Sequence, residues 1–250
     1  MEAVATIHGQ GTAEPEWARC AWLWARPHTP AAALLGTAKR LLVVAPHPDD
    51  EILACAGLMR EAAASGLAVD VAAVTDGEAC YPGETWWTPQ RLARQRRQEL
   101  REAIDTLGVP QAVITHLGIG DGMVSAAEAA LCDTLSSMID TDTLVLAPWR
   151  HDGHPDHEAS GRAAQRAADA IGARYLEYPV WGWHWLQPGA APQAWAHPRV
   201  LDIEPHRLHK QAAIACFRTQ TGAVERLAAP PILPAQVLER FARPHEVFLA

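Results

Sequence analysis

Two short segments hold most of the chemistry this chain can offer: His47-Pro48-Asp49-Asp50-Glu51 and, much later, His154-Pro155-Asp156-His157-Glu158. Each sets imidazoles beside carboxylates, the donor types with which a hydrolase holds zinc through three protein ligands while leaving a position for water. His47 and Asp50 are separated by two residues, so a turn entering a helix can present both on one side. The third ligand must come from another strand end. His157, beginning its helix as Asp50 begins its own, is preferred over His154. The expected ligands are therefore His47, Asp50 and His157, with Zn2+ as the first choice of metal and Fe2+ as the second. Asp49 then stands beside the cation without ligating it, and a free carboxylate there can take a proton from water whose pKa the cation lowers to about 7. His154, protonated, would stabilise the tetrahedral oxyanion or protonate the leaving amine, and Asp156 would orient that ring and keep it charged. The competing explanation makes Asp49 and Asp50 helix caps, the prolines turn residues and the histidines surface groups. It accounts for single residues, but not for two segments that both follow apolar runs and supply complementary ligands.

The elements that must position these residues are legible around them. Leu41 to Ala45 is a continuous apolar run ending at Pro46, as a strand covered on both faces requires. Residues 51 to 64 follow with Ile52, Leu53, Ala56, Leu58 and Met59 at helical spacing behind an acidic cluster. The alternation repeats with strands expected at 69–75, 112–115, 143–147 and 175–180, and helices at 91–107, 126–139 and 157–171. Residues 76–89 read as a long loop, 202–218 as helical and 230–250 as proline-interrupted. This pattern predicts an α/β fold, a Rossmann-like, mostly parallel sheet with helices on both faces. Both chemical segments would sit at the carboxyl ends of strands, where open α/β sheets bind ligands. Residues 1–38 lack clear periodicity and read as an N-terminal arm on a single domain spanning 39–250.

Composition narrows the classes. With 21 Lys plus Arg against 29 Asp plus Glu, the net charge of −8 has the wrong sign for a nucleic-acid binder. No apolar run approaches the ~18 residues of a membrane span, and Met1-Glu2-Ala3-Val4 lacks the positive start of a signal peptide. Five scattered cysteines without C-x-x-C spacing fit a reduced, cytoplasmic chain. There is no G-x-S-x-G elbow, and neither Ser160 nor any cysteine has a nucleophile's setting, so covalent mechanisms are set aside. Composition is neutral on whether the chain is a homo-oligomer.

The segment Ala45-Pro46-His47-Pro48-Asp49-Asp50-Glu51, with His154-Pro155-Asp156-His157 downstream, resembles the PIG-L/LmbE-like family of zinc-dependent N-deacetylases. It is similar also at Thr75-Asp76-Gly77, at Arg96, Gln98 and Glu99 with Leu107-Gly108, and at Asp121-Gly122, so that the likeness covers residues 40–180. The resemblance implies a Rossmann-like sheet and hydrolysis of the acetamide of N-acetylglucosamine-type conjugates. It places the zinc ligands on His47, Asp50 and His157, the general base on Asp49 and the oxyanion-stabilising histidine on His154. The expected partner is thus a small amino-sugar conjugate. Beyond residue 180 the family's segments vary, so the pocket there is not implied.

Substrate contacts are sought nearby. Trp183 and His184, within Trp181-Gly182-Trp183-His184-Trp185, would form a wall for a sugar ring, against the equal claim that these tryptophans fill a core. Arg96 would hold a substrate group if it faces inward, against an ion pair with Glu99 on one helix face. Asp121 leaves a strand's carboxyl end and would reach the pocket, while Gly118 to Gly122 itself reads as a turn. Trp86 and Trp87 suit a lid or, more simply, a packed loop. Two rival functions use the same triad: a non-haem Fe(II) oxygenase, and a sugar-binding protein that keeps the metal without chemistry. The unspent Asp49 speaks against the second.

Overall fold

The computed structural model describes residues 9–195 and 197–250. Its frame is a five-stranded parallel sheet of β1 (Arg40–Ala45), β2 (Ala68–Ala73), β3 (Val113–His116), β4 (Thr143–Pro148) and β5 (Arg174–Tyr178), in the order β3-β2-β1-β4-β5. Strand direction from β1 proceeds one way to β2 and β3 and the other way to β4 and β5. The crevice between β1 and β4 is therefore the point where the winding reverses, and ligands of doubly wound sheets bind outside it.

Alternation along β1 separates two layers. Leu41, Val43 and Ala45 face a core shared with α4 (Asp50–Ala64) and α5 (Pro89–Leu107), while Leu42 and Val44 face α6 (Glu128–Met138) and α7 (Pro155–Ile171). Every one of these strand residues is buried because helices cover both faces. Gly161 lets α7 lie against β4, since a side chain there would meet the Pro148 carbonyl.

Before the sheet, the short helices α1 (Glu14–Ala18), α2 (Ala21–Trp24) and α3 (Ala31–Leu35) contribute Trp17, Leu23, Leu34 and Leu35 to the larger core. After it come α8 (Gly182–Trp185), α9 (Ala191–Ala194), β6 (Arg199–Asp202), α10 (Arg207–Ile214), α11 (Arg218–Thr221), α12 (Ala235–Leu238) and β7 (His245–Phe248). The expected helix over 202–218 is shorter than its periodicity suggested. Asp202 instead ends a strand paired antiparallel with β7, Pro205 sits in a 3-10 turn before α10, and α10 stops at Ile214. The helix expected from residue 157 begins two residues earlier, at Pro155, a residue pre-shaped for a first helical turn. Among the described residues no helix is long and apolar enough to cross a membrane.

Candidate metal centre and active site

The chain leaves β1 at Ala45, turns through Pro46 and Pro48, and enters α4 at Asp50, whose Oδ2 accepts from the backbone N–H of His47 at 3.0 Å. That bond folds the turn so that the His47 ring and the Asp50 carboxylate share one side. Next door the chain leaves β4 at Pro148, and α7 opens with His154 as its cap and His157 in its first turn. Three donor atoms converge from these two loops. His47 Nδ1 lies 3.3 Å from His157 Nε2 and 3.5 Å from Asp50 Oδ2, and His157 Nε2 lies 3.3 Å from Asp50 Oδ2. Bonds of about 2.0–2.1 Å place tetrahedral donors about 3.3–3.4 Å apart. The donor triangle thus has the edge a zinc-sized ion would require, and its two-His-one-carboxylate composition is a donor set that could hold one.

Outer partners fix each ring. His157 Nδ1–H donates to Asp152 Oδ2 at 2.9 Å, leaving Nε2 as the metal-facing atom. Asp152 is fully buried and also accepts from the backbone N–H groups of Val180, Trp181 and Gly182 at 2.8–2.9 Å. It was missed from sequence, although an acid in the same strand-end loop as a candidate ligand histidine is where such a partner belongs. His47 Nε2 sits 3.3 Å from Asp121 Oδ1 and 3.5 Å from Asp156 Oδ2. Against the cost of burial, Asp50 and Asp152 hold His157 up to about 9, and Asp121, Asp156 and Asp50 hold His47 well above its usual value. Asp50 also overcomes its burial and lies well below the usual carboxylate range, because both imidazoles face it.

Two expectations are corrected here. The Asp156 carboxylate does not orient His154. Asp156 accepts from Gly122 N and Val124 N and reaches His47 instead, because its place in the first turn of α7 turns it toward the 120s loop. Nor is His154 an imidazolium. Its Nδ1 accepts from the backbone N–H of Asp156 at 3.2 Å, which an Nδ1–H cannot do, so the proton of the neutral ring is on Nε2. Burial and the neighbouring His47 and His157 push its pKa down to about 3.

Asp49 precedes the first residue of α4 with φ 138° and ψ −31°, a conformation that side chains rarely adopt. Neighbours hold it there: its N–H donates to Glu51 Oε2, and its carbonyl accepts from Ile52 and Leu53. Burial raises the Asp49 carboxyl to about 7, with Asp50 adding to the rise and Arg96 opposing it. Arg96 is buried, donating to the carbonyls of Gly77 and Pro48 and, at 3.2 Å, to Asp49 Oδ2. Glu99 bonds Thr219 rather than Arg96. Arg96 therefore holds Asp49, the expected base, while also lining the cavity that opens over the centre. Gly77, at φ 62°, leaves space that this guanidinium fills.

A cavity of about 720 Å³ opens over the centre, lined by His47, Asp49, Asp50, Asp121 and His154. Trp181, His184, residues 230–234 and Val237 also line it, which gives the C-terminal region a place the sequence did not reveal. His184 lines the cavity as expected, and its Nδ1 accepts from Arg240. Trp183 does not. It packs in the core with Trp17, Trp24 and Trp195. Asp121 reaches the cavity but is held by His47 and by the N–H of Ala79. Trp87 is buried against Tyr81 and Leu92, whereas Trp86 is exposed, with Arg91 and Arg226 over its ring, so this loop is packed at Trp87.

The model of the family described as PIG-L, GlcNAc-PI de-N-acetylase, matches residues 42–168, just over half of the chain and both chemical segments. The chain belongs to the PIG-L family. Among PIG-L relatives, it is 27% identical over 192 residues to a probable N-acetyl-alpha-D-glucosaminyl L-malate deacetylase 2 of Bacillus cereus, covering 74% of this chain and 86% of that one. It is 30% identical over 200 residues to a 1D-myo-inositol 2-acetamido-2-deoxy-alpha-D-glucopyranoside deacetylase of Nakamurella multipartita, covering 73% of this chain and 65% of the relative. Among solved structures, the conserved protein TT1542 of Thermus thermophilus superposes with a TM-score of 0.60 at 26% identity, over 84% of this chain and 93% of the other.

Proposed function

We propose that this PIG-L chain is a zinc-dependent N-deacetylase that hydrolyses the acetamide of an N-acetylglucosamine conjugate. The observation that carries the reading is the strained, unliganded Asp49 in the same cavity as a three-donor triangle of tetrahedral dimensions. His47, Asp50 and His157 would hold the ion, which when bound supplies a Lewis acid and lowers the pKa of water to about 7. Asp49, kept in place by Arg96, accepts the proton that water must lose and can return it to the leaving amine. His154 offers a neutral Nε2–H donor to the developing oxyanion, so its contribution is a hydrogen bond rather than a full charge. Asp152, Asp121 and Asp156 orient the two ligand rings. The curated relatives share the N-acetylglucosamine unit and differ in what it is joined to, malate in one and inositol in the other. This supports the amide as the common target.

The test is release of acetate and free amine from N-acetylglucosaminides by zinc-loaded protein, run with and without oxygen, alongside Asp49→Asn. Wild-type turnover independent of oxygen, lowered about 10²- to 10⁴-fold in Asp49→Asn with metal content retained, is expected. Oxygen-dependent turnover, or an Asp49→Asn protein as active as wild type, would overturn the assignment.

A further inference from the structure

Part of the cavity lining has a composition that the metal chemistry does not need. Leu53, Val180, Trp181, Ile232, Leu233 and Val237 give it apolar side chains. Between residues 230 and 234, Pro230, Pro231 and Pro234 carry no N–H at all. The remaining two donors are engaged: Ile232 N–H with the Tyr81 hydroxyl at 3.3 Å and Leu233 N–H with the Gln220 carbonyl at 2.9 Å. The 230–234 stretch therefore offers neither a charge nor an unengaged backbone N–H to an anion.

The charged residues of the lining point the same way. Among the described residues lining the cavity, the carboxylates are Asp49, Asp50 and Asp121, and the only Lys or Arg is Arg96. A divalent ion together with Arg96 balances those three acids and leaves no positive charge over. Arg96 is itself 2% exposed and turned onto Asp49, Pro48 and Gly77. An anionic substituent entering here would lose its hydration without gaining a Lys or Arg to pair with, whereas an apolar one would exchange water for hydrocarbon contacts.

We infer that the site selects amino-sugar conjugates bearing an uncharged, apolar substituent and discriminates against acidic ones. This rests on the deacetylase reading and names the substrate class within it. The substituent can reside on the glycosidic oxygen or extend the N-acyl chain, and the probes below distinguish the two.

Four probes decide it with the zinc-loaded full chain: methyl N-acetylglucosaminide, its hexyl counterpart, the methyl glycoside carrying an N-hexanoyl group, and a glycoside of a hydroxy-dicarboxylate. Each is followed by kcat/KM for amine release and by calorimetric binding. Each methylene buried is worth about fourfold, so the hexyl or the N-hexanoyl probe should exceed the methyl reference by at least about tenfold, chiefly through KM. Whichever of the two gains identifies the end of the sugar that faces the apolar lining. The dicarboxylate should fall below the methyl reference in both measurements. Ile232→Lys, or Pro230→Lys at the exposed rim should the first melt early, should raise the dicarboxylate-to-hexyl ratio by at least about tenfold. Acetate release from the methyl glycoside with the dicarboxylate preferred over both apolar probes would overturn the inference and leave deacetylation standing. Apolar-selective binding without amine release from any probe would support the apolar lining and refute the deacetylase reading instead.

Discussion

Asp152→Asn isolates the contribution of a carboxylate that touches neither substrate nor metal. Asp152 Oδ1 accepts from Val180 N and Gly182 N, while Oδ2 accepts from Trp181 N and from His157 Nδ1–H. An asparagine must put its single carbonyl oxygen toward one of these pairs. Facing the Oδ1 pair preserves two backbone bonds, and its amide then points at His157 Nδ1 and at the Trp181 N–H. The imidazole responds by accepting at Nδ1, which moves its proton to Nε2, the atom that faces Asp50 and His47. In the wild type the ring that has given up one proton keeps the other on Nδ1 against the carboxylate, whereas in the variant it keeps it on Nε2, so metal binding must work against the favoured tautomer. Loss of such a partner lowers metal affinity about 10- to 100-fold, and the unpaired Trp181 N–H adds about 1–3 kcal/mol of destabilisation. Competition with a chromophoric zinc chelator measures the first effect and urea unfolding of the metal-free protein the second. Zinc affinity equal to wild type in Asp152→Asn would refute the tautomer argument, and with it the assignment of Nε2 as the ligand atom.

Other consequences follow from the same geometry. Arg96→Gln releases Asp49 from its clamp and removes the cation that opposes the rise of its carboxyl to about 7. The acidic limb of kcat/KM should move to higher pH, since the base must be deprotonated to act, and kcat should fall by about 10- to 100-fold through misplacement. An unshifted limb would show that Asp49 is not the titrating base. Because His157 is held at about 9 in the metal-free centre, zinc uptake at pH 7 should release at least one proton and affinity should climb with pH until about 9. Calorimetric titration in buffers of different ionisation enthalpy reads that proton directly.

The parts of this molecule that local chain chemistry dictates were legible from residue order. Apolar runs at 41–45 and 143–147 became β1 and β4, and the two His/Asp segments lie at their carboxyl ends on either side of the reversal point. His47, Asp50 and His157 converge because that topology brings their loops together. What stayed hidden depends on contacts between distant segments. Asp152 matters through N–H groups of residues 180–182, which face it only after β5 has paired with β4. Asp156 and Asp121 were assigned elsewhere because nothing local reveals that the second nitrogen of His47 faces both. Trp183 went to the core and Trp181 to the cavity, a choice that spacing alone cannot make within a four-residue helix. The proline-rich wall had no periodicity to read and acquired its place only by packing against the 77–90 loop, through Tyr81 and Glu84.

The backbone at Asp49 explains how adjacent residues serve one site in different roles. Successive side chains point apart by about 100° on a helix and to opposite faces on a strand, so regular structure cannot aim both Asp49 and Asp50 into the same cavity. The chain does so by taking φ 138° at Asp49 just before α4 begins, a strain of about 1–3 kcal/mol offset by the surrounding contacts. This inverts an ordinary ranking. In most places alanine is more stable than glycine by about 0.5–1 kcal/mol, yet here only glycine escapes the steric penalty. Both Asp49→Gly and Asp49→Ala lose the carboxylate and its contact with Arg96, so their difference reports backbone strain less the ordinary entropic cost of glycine. Asp49→Gly should be the more stable of the two by about 1–2 kcal/mol in urea unfolding of the metal-free protein, with both lacking turnover. Equal stability, or alanine ahead, would mean that the turn relaxes once the side chain is gone, and the paired orientation of Asp49 and Asp50 would then need a source other than this dihedral.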